Sequence, residues 1–209
     1  MSATRSTPAR LLAAFGLLLA VLWPLVEAQA WSLSITEASR RVFLHVGNGA
    51  INANNSTINL VSVTVPGDQV GNGVAQLMTT NSTQSRSLYG DNFTTCPDPG
   101  TQIMVGASYR RNNNGSPASA TLRVTSPANL VNASGDTIPF SQISWTVSAA
   151  GSPQPNVIPA GAFSGATQIL TTIPANTYIE NCHTFRYANS AVRAAGTYNG
   201  QVTYTLSSP

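Results

Sequence analysis

The stretch Gln201-Val202-Thr203-Tyr204-Thr205-Leu206 alternates apolar and polar side chains with a period of two. Val202, Tyr204 and Leu206 fall on one face, in phase with Tyr198 upstream, and the polar residues between them fall on the other. A period of two in β-branched and aromatic residues is typical of a half-buried β-strand. The end of the chain is therefore predicted to be a strand with one face in the core.

Short apolar runs of the same kind recur along the chain, and clusters of Gly, Pro, Asn and Asp separate them. Many short strands at such spacing indicate a sandwich or a barrel. We predict an all-β chain folded as one immunoglobulin-like antiparallel β-sandwich over residues 31–209. The other predicted strands are 42–46, 58–65, 74–79, 103–110, 120–125, 142–148, 167–172, 177–180 and 184–188.

The first 30 residues have the three parts of a secretory signal peptide. Two arginines precede an apolar run of 15 residues, 11–25, and small residues follow at Ala28 and Ala30. The run is shorter than the ~20 residues that a membrane-spanning helix needs. We predict a cleavable signal over residues 1–30, cut after Ala30 or after Ala28, and no membrane span in the mature chain.

Charge is sparse, and its composition excludes some chemistry. The formal net charge is +3, and all ten cationic residues are arginine. Without lysine, Schiff-base catalysis and lysine isopeptide cross-links are impossible. The pairs Arg40-Arg41 and Arg110-Arg111 lie in no arginine-rich stretch with interleaved aromatics, so we expect no nucleic-acid partner.

Two cysteines, Cys96 and Cys182, follow the predicted signal peptide. An exported protein with two cysteines normally pairs them, so a disulfide is expected. The alternative is a metal site that adds His183 to the two sulfurs. Neighbouring residues on a strand point to opposite faces, which makes it difficult for Cys182 and His183 to share an ion and favours the disulfide.

No catalytic motif is recognisable, and we predict that the chain is not an enzyme and has no cofactor. His45 alternates out of phase with the apolar residues of strand 42–46, which indicates a half-buried structural histidine on the other face. Asp91, Asn92 and Asp98 flank Cys96 and offer a calcium site as an alternative to turn residues. A hydrolase on a β scaffold remains an alternative, and it would need two facing carboxylates.

Trp31, Leu33 and Ile35 alternate with polar residues immediately after the predicted cleavage site. A strand at this position has two interpretations. It is the first strand of its own sheet, or it is a tail that completes the sheet of another subunit.

Two further stretches of the sequence are informative. They are Ile138-Pro139-Phe140-Ser141-Gln142-Ile143-Ser144-Trp145 and Ala195-Gly196-Thr197-Tyr198-Asn199-Gly200-Gln201-Val202-Thr203-Tyr204-Thr205-Leu206. Both resemble parts of exported bacterial fimbrial-type subunits. The second stretch resembles the C-terminal end of pilins that are assembled by a chaperone and an usher, and of the related spore-coat-U-like secreted proteins.

The resemblance implies a structural subunit of a surface fibre that assembles by donor-strand exchange and contributes to adhesion. Residues 31–38 would complete the sheet of the next subunit. The implied donor residues are Trp31, Leu33 and Ile35. The implied chaperone- and acceptor-facing residues of the last strand are Tyr198, Val202, Tyr204 and Leu206.

The partners that the resemblance implies are a periplasmic chaperone, an outer-membrane usher and other pilus subunits. The protein would pass through the periplasm to the cell surface or an extracellular fibre. The alternative is a self-contained exported binding module that recognises carbohydrate or a surface. Exposed aromatics grouped on one face would favour that alternative, and Trp31, Trp145 and Tyr109 are the candidates.

Overall fold

The computed structural model describes residues 31–49, 58–88, 93–112, 118–148 and 157–209, and of residues 31–33 only the backbone. The predicted signal peptide lies outside the described residues. The strands are β1 (Trp31–Ser34), β2 (Arg41–Val46), β3 (Val61–Ser62), β4 (Gln76–Leu77), β5 (Thr79–Thr80), β6 (Gln102–Arg110), β7 (Ser119–Thr125), β8 (Asn129–Val131), β9 (Thr137–Pro139), β10 (Ile143–Ser148), β11 (Gly161–Ala162), β12 (Thr167–Pro174), β13 (Thr177–Tyr187) and β14 (Thr203–Ser207).

The larger of the two main sheets is arranged around β13. Its order is β11-β10-β13-β6-β2, all antiparallel, and β1 and β4 also pair with β13. The first half of β13 pairs with β6 on one side and β1 on the other, and its second half pairs with β10. β13 is therefore the central strand of this sheet along its whole length.

The smaller sheet has the order β12-β7-β14, and it packs on one face of the larger sheet. Alternate residues of both sheets form the core between them, as expected when each strand has one inward face. The predicted all-β sandwich is thus confirmed, and its immunoglobulin-like character stays a prediction. Fully buried core residues include Val105 and Ala107 of β6, Leu122 and Val124 of β7, and Ile179 of β13.

The chain forms one continuous strand over Thr177–Tyr187, where two strands, 177–180 and 184–188, were predicted. The division was wrong because Asn181-Cys182-His183 interrupts the apolar pattern. Residues 178–183 are nevertheless all buried, on both faces of the strand. A strand covered on both faces loses the alternation that makes strands readable from sequence.

Two predicted strand boundaries also differ. Only Val61–Ser62 of the predicted strand 58–65 is paired, with β5, although Val63 and Val65 still pack on the core. The last strand begins at Thr203, so Tyr198 and Val202 precede it. Alternating side chains report burial of one face, whereas a strand also needs a hydrogen-bonded neighbour.

Candidate functional site

The sandwich has a seam where an outer strand of each sheet is open, which we call the β2–β14 seam. Among the described strands, β2 pairs only with β6, and β14 pairs only with β7. The two strands lie beside each other in different sheets, and Arg40 donates from Nε and Nη2 to Ser208 Oγ, over 3.3 and 3.2 Å. Both open edges therefore border one side of the molecule.

Half-buried apolar side chains follow this seam. Leu44 and Val46 of β2, and Tyr204 and Leu206 of β14, pack against the core and remain partly accessible. The sequence predicted one inward face for Tyr198, Val202, Tyr204 and Leu206, and all four pack inward in this half-buried way. An open sheet edge with incompletely covered apolar residues is a surface on which another strand can pair.

His183 lies in the core below the last strand. Its ring stacks on Trp145 at a centroid distance of 6.1 Å and meets Tyr204 edge-on at 6.2 Å. Neither ring nitrogen has a hydrogen-bond partner within the described residues. Burial lowers the pKa of His183 to about 3, and burial raises the pKa of Tyr204 above its ordinary value. Both groups are therefore neutral at physiological pH.

The residues that would donate a strand are paired within the chain itself. β1 lies antiparallel to β13, with Trp31 opposite Glu180 and Ser34 opposite Thr177. Ile35, the third implied donor residue, is buried, and its backbone N–H donates to Asn176 O over 2.9 Å. This arrangement agrees with the interpretation that the segment is the first strand of its own sheet.

The predicted disulfide is confirmed. Cys96 and Cys182 are bonded, with their Cα atoms 5.5 Å apart, and both are buried. Cys182 is on the outer face of β13, next to Met104, whereas His183 faces the core. Within the described residues no group of three or more His, Cys, Asp or Glu side chains is placed to hold a metal ion.

A fully buried carboxyl lies beside the disulfide. Glu180 accepts hydrogen bonds from Thr95 Oγ1 at 2.7 Å and from the Tyr178 hydroxyl at 2.8 Å. Gly106 is opposite on β6, and a Cβ there would come within 2.9 Å of the Tyr178 oxygen. Because Gly106 has no side chain, it leaves the space that the side chains of Tyr178 and Glu180 occupy. Glu180 was not among the site residues predicted from the sequence.

Asp98, one part of the possible calcium site, is engaged in local structure, because its carboxylate accepts a hydrogen bond from the hydroxyl of Thr101. The carboxylate of Asp136 likewise accepts a local hydrogen bond, from Asn132 Nδ2 at 2.9 Å. Asp91 and Asn92, the other parts of the possible calcium site, lie outside the described residues. His45 is on the opposite face of β2 from Leu44, as expected, but it is buried rather than half-buried.

Two of the three aromatics proposed for a carbohydrate-binding face are buried, and the side chain of the third, Trp31, lies outside the described part of the chain. Trp145 is 4% exposed and donates from Nε1 to Pro159 O, and Tyr109 is 1% exposed. Both were candidates because sequence alone does not distinguish a buried aromatic from an exposed one. With both rings in the interior, stacking on a sugar at these positions is excluded.

Comparison with known proteins identifies no relative. The chain matches no family model, no curated protein and no solved structure.

In the parts of the chain that the structure describes, none of the helical segments has the length and apolarity needed to cross a membrane.

Proposed function

We propose that the chain is a non-catalytic structural subunit of a bacterial surface fibre, joined to its neighbours by donor-strand exchange and contributing to adhesion. The observation that carries this proposal is the β2–β14 seam, where two strand edges that no other described strand pairs with lie side by side over half-buried apolar residues. The resemblance of residues 195–206 to the C-terminal end of fimbrial subunits supports the same function.

The physical advantage of a donated strand is twofold. Its backbone would pair with the open edge of β14, and its apolar side chains would cover Tyr204 and Leu206. A contact between two different surfaces of the same chain does not close on itself, so repetition produces a fibre. On this proposal a periplasmic chaperone protects the seam during export, and an outer-membrane usher exchanges it for the next subunit.

The position of β1 adds a step to this assembly. The donor segment is paired with β13 in its own chain, so it must leave that position before it can enter a neighbour's seam. The pairing involves only four residues of β1. A short terminal strand is the kind of element that opens locally without global unfolding.

A second candidate function is a self-contained exported binding module. The observation that favours it is the same pairing of β1 with β13, because a strand already satisfied within its own sheet need not be donated. Both candidates share the sandwich and the disulfide, and they differ in whether copies of the chain join.

The first experiment measures the size distribution of the exported protein by analytical ultracentrifugation. The comparison variants lack residues 31–38, or carry Leu206→Arg in the seam. Thr203→Arg is the matched control because its side chain is exposed on the other face of β14 and lies opposite the uncharged Thr125. We expect ordered polymers from the natural chain and from the control, and monomers from the other two.

A folding defect is separated from an assembly defect by adding excess synthetic peptide of residues 31–38 to the unaltered chain. The peptide would occupy the seam and stop growth at short oligomers. Monomers from every variant, together with no effect of the peptide, would contradict the fibre and favour the binding module.

A further inference from the structure

Two arginine pairs that are distant in sequence meet at one end of the larger sheet. β2 begins at Arg41 and β6 ends at Arg110, and these residues are direct cross-strand partners. Arg40 and Arg111 are their immediate neighbours in the chain. We call these four residues the arginine end of the sandwich.

Three of the four side chains bond to different partners around the strand ends. Arg40 contacts Ser208 beside the β2–β14 seam, and Arg110 donates from Nε to Thr36 O at 3.0 Å. Arg111 donates from Nε to Asn112 O at 3.2 Å. A guanidinium has five N–H donors, and these contacts use at most two on any one of them.

A shallow depression of about 270 Å³ lies at this end. Arg40 and Arg111 form its charged walls, and Tyr109, Asn112 and Pro209 complete it. It is slightly smaller than the ~300–1,000 Å³ of drug-sized ligand sites. The space therefore suits one small group of a longer molecule rather than an enclosed ligand.

Placing like charges directly opposite each other on neighbouring strands is destabilising. An anion that bridges the two guanidinium groups removes this repulsion. Guanidinium groups form planar, bidentate pairs with carboxylate, sulfate or phosphate. The Arg41–Arg110 pair is at the surface, so such an anion would have direct access.

We infer that the arginine end is a binding site for an acidic polysaccharide, which places one carboxylate- or sulfate-bearing sugar in the depression. Exposed Asn112 supplies an amide for sugar hydroxyls. Single-stranded nucleic acid fits less well, because its bases need exposed aromatic faces for stacking, and Tyr109 is buried. The inference deepens the adhesive role proposed above, but it does not depend on polymerisation.

The test measures binding of the purified chain to a sulfated dextran oligosaccharide by calorimetry, with unsulfated dextran of equal length as the neutral ligand. The variant is Arg40→Gln with Arg111→Gln, which removes the two arginines that line the depression. The matched control is Arg186→Gln with Arg193→Gln, which removes the same charge from one exposed and one half-buried arginine elsewhere. Duplex DNA and vesicles of anionic lipid are measured in parallel.

We expect binding to the sulfated ligand only, weakening with added salt. The affinity should fall about tenfold or more in the first variant and stay within about twofold in the control. Equal losses in both variants would mean that net charge alone is responsible and would overturn the inference. Equal or tighter binding to DNA or vesicles would overturn it in favour of those partners. Sedimentation of each variant separates these results from any change in fibre assembly.

Discussion

Two histidine side chains are buried inside this sandwich. His45 and His183 are both in the interior, where burial lowers their pKa values to about 4 and about 3 from 6.5. For His45, the nearby backbone of Gly49 partly offsets the effect of burial on the pKa. Both rings stay neutral in the folded state well into the acidic range.

These two pKa values make the free energy of unfolding depend on pH. The unfolded histidine takes up a proton near pH 6.5, whereas folded His183 does so only near pH 3. The unfolded state therefore binds more protons between these limits, and stability is lost as the pH falls from 6.5. Above pH 6.5 the contribution is fully present.

We predict that His183→Phe, which keeps an aromatic ring against Trp145, flattens this dependence. Urea unfolding between pH 5.5 and 4.5 should give a slope about 1.4 kcal/mol per pH unit smaller than that of the natural chain. Comparing slopes cancels the packing cost of the larger ring. An unchanged slope would mean that His183 is not held neutral in the folded protein.

Among the elements, β13 and β1 are opposites. β13 has 11 residues, is buried on both faces over residues 178–183 and pairs with other strands on both edges. β1 has four residues and is held at its edge through pairing with β13 and the Ile35–Asn176 hydrogen bond. Local opening therefore costs far less at β1 than at β13.

We predict that the backbone amides of β1 exchange with solvent at least about 100-fold faster than those in the middle of β13. Hydrogen exchange followed by mass spectrometry of the monomer measures this difference. β14 serves as an internal comparison, since within the described part of the chain it is an outer strand that pairs only with β7. Protection of β1 equal to that of β13 would argue against its release and against donor-strand exchange.

For the whole molecule, the disulfide joins a segment on the outer face of the larger sheet to its central strand. Cys96 and Cys182 are 86 residues apart, so the bond closes a long loop of the unfolded chain. It also fixes Thr95 over Glu180. The bond therefore restricts the unfolded ensemble, and it also holds Thr95 in place over the buried carboxyl of Glu180.

We predict that replacing both cysteines by alanine lowers the free energy of unfolding by about 4–5 kcal/mol, as loop-closure entropy gives for a loop of this length. Chemical denaturation of the natural and double-alanine chains measures the loss. Thr95→Val is a further comparison, because it removes the hydroxyl that donates to Glu180 and leaves the disulfide intact. A loss below about 1 kcal/mol in the alanine chain would mean that the unfolded chain is already compact.

The amino-acid sequence by itself determined the all-β class, the disulfide and the inward face of the last strand. Each of these features depends on a local hydrophobic period or on the number of cysteines. Only the tertiary structure decided that β1 pairs with β13, that β2 and β14 leave adjacent edges open, and that Arg41 lies opposite Arg110. These features depend on which strands become neighbours and in which register. A period of two is the same for every possible partner strand, so the sequence pattern identifies strands without identifying their neighbours.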